Sequence, residues 1–168
     1  PATLAPSLRD VRSVFLLPGY RDMPGLLAAL RDAGVERVVQ LSGGSAGSGD
    51  IANAISAYMI RSERAVFESG LPWTVLRPAA FMSNALRWVR KLAAGNILRL
   101  PFATVRTATI DPADVAAVAA EALLSEGHDG QIYYPTGPES LTPADQVEIL
   151  AAVLGRDLGF EAQPDDEA

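Results

Sequence analysis

Few side chains in this sequence can move a proton or attack a carbonyl. Histidine occurs once, as His128, and cysteine is absent. A thiol nucleophile and a disulfide are therefore excluded, and one imidazole cannot build a metal site. His128 lies in Glu126-Gly127-His128-Asp129-Gly130, a turn between a helix and a strand, where a solvated loop histidine is expected. Asp111 and Asp114 pair two carboxylates, but Pro112 between them marks a helix start. Acidic groups there cap the helix and complement its dipole rather than exchange protons. Ser42 ends an apolar run. It is read either as a hydroxyl meeting a cofactor or substrate carbonyl, or as a turn serine bonding its own backbone. Tyr58 either reaches a pocket or packs as an amphipathic-helix tyrosine. No catalytic residue and no metal ligand is assigned.

The elements that must position these groups alternate between strand and helix. Ser13 to Pro18 is a short apolar run ended by Pro-Gly, read as a buried strand. Asp22 and Pro24 open a helix carrying Leu26, Leu27 and Leu30, and Gly34 closes it. Arg37 to Ser42 is a second strand, so the three form a βαβ unit with parallel strands. Gly43 to Gly49 reads as a flexible Gly/Ser loop. Asp50 is expected to cap a helix with Ile51, Ile55, Tyr58, Ser62 and Ala65 on one side. Trp73 to Pro78 is a third parallel strand, and a helix follows from Phe81 to Ala94. Ile97 to Leu100 and Thr107 to Ile110 read as brief strands. Asp111 starts a helix to Leu124, Gln131 to Tyr134 is a strand, Thr142 to Gly155 frames a last helix, and Leu158 to Phe160 reads as a final strand. A single domain is expected over 1–163, with a disordered acidic tail over 164–168.

Composition narrows the function classes. The chain has 168 residues and a net charge of −6, with 49% hydrophobic and 20% charged residues. That balance is ordinary for a globular protein. Scattered basic residues argue against a nucleic-acid surface. No stretch is apolar and long enough to cross a bilayer, and no secretory signal opens the chain. The absence of cysteine fits a reducing, cytoplasmic setting. Pro1 is not an initiator Met, so a processed, truncated or partial chain is expected.

Alternating strands and helices with parallel crossovers predict an α/β Rossmann-like parallel sheet with helices on both faces and a small C-terminal α+β region. Ligands of such sheets sit beyond the carboxyl ends of the strands. Those ends carry Pro18-Gly19, Ser42-Gly43 and Arg77-Pro78-Ala79-Ala80-Phe81. Arg77, held extended by Pro78, is expected to bond a helix end or pair with a carboxylate.

Several of these segments, in this order, resemble the NmrA-like family of the atypical short-chain dehydrogenase/reductase superfamily. They are Val14 to Gly19, Gly34 to Ser42, Glu63 with Ser69 to Pro78, Phe81 to Asn84, Asp111 to Ala116 and Thr136 to Thr142. The resemblance spans Val11 to Phe160. It implies an NAD(P)-dependent oxidoreductase domain reducing a quinone or another small carbonyl or enone substrate. The alternative is a non-catalytic dinucleotide-sensing or protein-binding regulator. On the resemblance, Leu17, Pro18, Gly19, Ser42, Gly43, Met59, Pro78, Ala79 and Phe81 would meet NAD(P), and Phe81, Met82 and Trp88 would line the substrate pocket.

Three departures from the family pattern matter. The opening strand and its Gly-x-x-Gly-x-x-Gly turn, which let a backbone approach a pyrophosphate, are not in this sequence. The sheet is thus expected to be N-terminally incomplete, leaving Ser13 to Pro18 as an exposed apolar edge. Either a homodimer partner covers it or the protein is longer. The basic residue that selects a 2′-phosphate is also absent, so NAD and NADP stay undistinguished. Finally, the Tyr-x-x-x-Lys pair is not in place. Counting back from Glu63 puts Met59 at the Lys position and Ile55 at the Tyr position, and Tyr58 is followed four residues later by Ser62.

Overall fold

The computed structural model describes residues 4–164 and Glu167. Apart from Pro164 and Glu167, the expected acidic tail lies outside the described residues. In chain order the elements are β1 (Ser13–Leu16), α1 (Met23–Asp32), β2 (Arg37–Leu41), α2 (Ala54–Phe67), β3 (Trp73–Leu76), α3 (Val89–Ala94), β4 (Ile97–Leu100), α4 (Pro112–Leu124), β5 (Gln131–Tyr133), α5 (Pro143–Leu154) and β6 (Gly159–Ala162). They fall into two compact units. One runs up to Ala79 and resumes over Ala113–Pro135, and the other holds Ala80–Pro112 and the residues from Thr136.

The first unit is built on a four-stranded sheet of order β1-β2-β3-β5, with every pair parallel. Parallel strands covered on both faces need continuous apolar runs, and Val38, Val39, Val75 and Leu76 are fully buried. Side chains alternate across the sheet. Leu16 and Val38 face Met23, Leu27 and Leu30 of α1 and Val66 of α2 in one core. Ser13 and Arg37 point to the other face, where both hydrogen-bond the carbonyl of Leu123 at the end of α4, at 3.2 and 3.4 Å. Helices therefore cover both faces, as the Rossmann-like pattern requires. β1 is an outer strand of this sheet.

Two expectations fail around α2. The Gly43–Gly49 segment is not irregular throughout. It folds as a 3-10 turn over Gly44–Ser48, with Ala46 buried. Asp50 does not cap the helix but accepts from the Ala52 amide at 2.8 Å. The cap is Asn53, which accepts from Ile55 and Ser56. The helix thus starts later, and its inward face carries Ser56, Ala57, Ser62, Glu63 and Val66. Ile51 and Ile55 are exposed, at 67% and 63%. The apolar stripe misled because the buried face is small and polar, with its carboxylate paired to Arg77 just past the end of β3.

The second unit centres on the parallel pair β4-β6. Leu98, Leu100 and Val147 form its core, packed by Trp88, Leu92, Leu150, Leu158 and Phe160. Thr142 and Asp145 close a capping box at α5, the reciprocal bonding that satisfies orphan amides at a helix start. The helix expected over Phe81 to Ala94 is a 3-10 helix over Met82–Trp88 followed by the short α3. Phe81 is held extended by a bridge to Ile110, and the chain winds more tightly after it. The strand expected over Thr107 to Ile110 is reduced to isolated bridges, Thr107 with Leu141 and Ile110 with Phe81.

Candidate functional site

The carboxyl ends of β2 and β3 carry a buried polar chain. Ser42, just past β2, donates its hydroxyl to Glu63 Oε1 at 2.5 Å. Arg77, just past β3, grips the same carboxylate with two bonds, Nε to Oε1 at 2.9 Å and Nη2 to Oε2 at 2.6 Å. The two side chains are 13% and 3% exposed. Arg77 Nη1 also donates to the Tyr134 hydroxyl at 2.5 Å, with the guanidinium 5.5 Å from the Tyr134 ring centroid. Tyr134 has just left β5, so one network ties three strand ends to the middle of α2. The Glu63 carboxylate bonds, working against burial, push the Arg77 guanidinium above its ordinary value. A bidentate pair of this kind is held by geometry as well as charge. Removing one partner of a buried pair costs about 3–5 kcal/mol.

The sequence expected Arg77 to pair with a carboxylate or a helix end, and it pairs with a carboxylate. It did not assign Glu63 a role in the site, nor Tyr134. The available signal was a Glu at mid-helix with an Arg at the end of the next strand. Ser42 is buried, and its hydrogen is committed to Glu63. It presents lone pairs rather than a donor.

Other expected cofactor contacts also converge on this end of the sheet. Gly43 lies over Met59, where a Cβ would come within 2.9 Å of the sulfur. Gly19 has a left-handed φ of +90° with the Tyr58 ring 3.4 Å from its Cβ direction. Its amide donates to Ser62 Oγ at 2.9 Å. Leu17 is exposed and Pro18 half-buried. Pro78 accepts from the Gly44 amide at 3.0 Å, and Ala79 donates to Pro135 at 3.0 Å. Gly19, Ser42, Gly43, Pro78 and Ala79 form a wall of small residues and backbone just beyond the carboxyl ends of β1, β2 and β3. The Gly19 amide is taken by Ser62, the Ser42 amide by the Leu76 carbonyl and the Ala79 amide by the Pro135 carbonyl. On α2, Ile55 points to solvent and Met59 packs under Gly43, leaving no Tyr–Lys relay at those positions.

Phe81, Met82 and Trp88 belong to the second unit. Met82 and Trp88 line an apolar pocket of about 410 Å³ with Thr109, Glu139, Leu141, Gln146, Ile149 and Leu150. Phe81 is half-buried beside it in sequence but is not among the lining residues. That volume is in the range of small-molecule sites, which are mostly apolar with a few polar groups.

His128 departs from expectation. It shares a 2.8 Å hydrogen bond with the Tyr133 hydroxyl through Nδ1, and its carbonyl accepts from Thr74 Oγ1 at 2.7 Å. It is an anchored group at the amino ends of β3 and β5. One further polar group went unnoticed in the sequence. Gln40, in β2, is fully buried, and neither amide atom has a hydrogen-bond partner among the described residues.

Comparison with known proteins gives a family match and several relatives. A family model described as NAD(P)H-binding matches residues 3–126. The chain is 40% identical over 163 residues to a (4-alkanoyl-5-oxo-2,5-dihydrofuran-3-yl)methyl phosphate reductase of Streptomyces griseus, covering 95% of this chain and 58% of that protein. It is 33% identical over 167 residues to an NAD(P)H azoreductase of Xenophilus azovorans, covering 96% and 58%. The chain thus spans less than two thirds of the length of these curated relatives. Its fold matches a crystal structure of NADPH-dependent quinone oxidoreductase from Escherichia coli, complexed with NADPH, at a TM-score of 0.85 and 20% identity, covering 99% of this chain and 60% of that one. The chain belongs to the NAD(P)H-binding family.

Proposed function

We propose that this protein serves an NAD(P)H-dependent reductase acting on a small, largely apolar conjugated substrate such as a quinone or enone. The observation that carries this reading is the wall at the carboxyl ends of β1, β2 and β3, locked by the Ser42–Glu63–Arg77 chain. Open α/β sheets bind their ligands at such ends. The reductase names of the relatives and the apolar pocket lined by Met82 and Trp88 add support.

When bound, the dinucleotide supplies a hydride. The chain's own residues hold and orient it. The absent side chain of Gly43 makes room for Met59, whose sulfur a Cβ would meet at 2.9 Å, and the Glu63–Arg77 pair fixes the strand ends that carry Ser42, Pro78 and Ala79. Ser42 would serve the dinucleotide as a hydrogen-bond acceptor, because its own hydrogen is given to Glu63. No side chain of this set releases a proton, so the proton that completes the reduction comes from water. The protein contributes orientation and shape rather than acid–base chemistry.

Titration calorimetry with NADPH, followed by turnover with a benzoquinone, tests this. Saturable binding and quinone-dependent NADPH oxidation are expected. Binding without oxidation would remove the enzyme reading in favour of a dinucleotide sensor, and no binding would remove both.

We also propose a homodimer across the outer edge of β1. Phe15 and Leu17 are 42% and 49% exposed, beside an apolar groove lined by Leu4, Leu8, Val14, Phe15 and Leu26. An open apolar strand edge favours pairing with another strand.

A further inference from the structure

A second cleft in the first unit has a different chemistry. Tyr20, Arg21, Tyr58, Arg61, Arg64 and Glu68 line a space of about 490 Å³ between the start of α1 and the outer side of α2. Three arginines meet one carboxylate there, in a chain whose net charge is −6. Glu68 is engaged by Arg64 at 3.4 Å. Arg21 and Arg61 have no ion pair or hydrogen bond from their side chains among the described residues. The same holds for the Tyr20 and Tyr58 hydroxyls. The Tyr58 ring lies against Gly19.

We infer that this cleft binds the phosphoryl group of an organic phosphate that carries a planar ring. A guanidinium offers a planar fork of donors that matches phosphate oxygens two at a time. Two such arginines and two tyrosines line one space, too large for inorganic phosphate alone and within the range of small-molecule sites. The tyrosine faces suit a ring, by stacking and by their match to apolar planes. The site takes up none of the residues that form the wall at the strand ends except Gly19. It therefore stands whether or not the reductase reading holds. Two sources share this chemistry, a nucleotide and a phosphorylated ring substrate.

Calorimetric titration of the whole chain with adenosine 5′-monophosphate, phenyl phosphate and inorganic phosphate tests the inference. At least one of the ring-bearing phosphates is expected to bind tighter than inorganic phosphate, and which of the two binds tighter identifies the source. The Arg21→Gln/Arg61→Gln variant is expected to weaken that ligand at least tenfold. An Arg87→Gln/Arg90→Gln variant carries the same net charge and changes exposed residues of the second unit, so it should bind as the parent does. Far-ultraviolet circular dichroism on both variants confirms that they fold. The inference is overturned if the parent binds neither ring-bearing phosphate, or prefers inorganic phosphate. It is equally overturned if both double variants lose affinity alike, because bulk charge would then account for the binding.

Discussion

Ser42 donates its hydroxyl hydrogen to Glu63 across 2.5 Å, and this fixes which way the serine can act. A buried carboxylate that already receives two bonds from Arg77 keeps the remaining hydrogen as well. The hydroxyl at the end of β2 is therefore an acceptor, and the Glu63–Arg77 pair is the element that makes it one.

Breaking that pair from one side leaves a charge without its partner. Glu63→Leu should lower unfolding free energy by about 3–5 kcal/mol. Glu63→Leu with Arg77→Met should recover most of that loss, since a matched apolar pair avoids the stranded charge. Urea denaturation of the single and double variants measures both. A double variant as unstable as the single one would show that the pair's charge is not the cause.

Gln40 sits between Leu16 and Val75 in register and is buried without a partner for either amide atom among the described residues. An unsatisfied buried polar group costs about 1–3 kcal/mol, and Met has nearly the same length and volume. Gln40→Met should therefore raise the thermal midpoint. A clear fall would mean that the amide meets a polar partner in solution.

The Asp145 carboxyl is held below its ordinary value, first by the Thr142 backbone amide and then by its hydroxyl. The capping box thus contributes in full above the usual aspartate pKa of about 3.9 and is lost as pH falls through the lower folded value. Stability measured against pH should drop less steeply in this acid range for Asp145→Asn than for the parent. Parallel curves would contradict the assignment.

An association through the β1 edge predicts a mass that rises with concentration in sedimentation equilibrium. Phe15→Lys, which puts a charge on the exposed face of that strand, should hold the protein as a monomer. A parent that stays monomeric at all concentrations would exclude the edge as a self-association surface.

Strand positions were legible because a parallel sheet buried on both faces needs runs such as Arg37 to Leu41, which few other elements tolerate. Asp22 with Pro24, and Thr142 with Asp145, marked helix starts through capping chemistry that is local to the sequence. The phase of α2 was not legible. Its inward face holds Ser56, Ser62 and Glu63, and only the arrival of Arg77 from the next strand makes that burial tolerable. The Phe81 to Ala94 segment misled for a related reason. Its winding answers to a bridge with Ile110, remote in sequence. In the site, Arg77 could be expected to seek a carboxylate, but its choice of Glu63 and its contact with Tyr134 depend on the fold.

The most direct test of the account follows the hydride itself. The protein is incubated with NADPH deuterated on the transferring face of the nicotinamide and with a cyclic enone, and the product is read by mass spectrometry. The account predicts one deuterium on carbon in the saturated ketone for each NADPH consumed, with the accompanying proton drawn from water. A protein that binds NADPH yet leaves the product free of deuterium would contradict it.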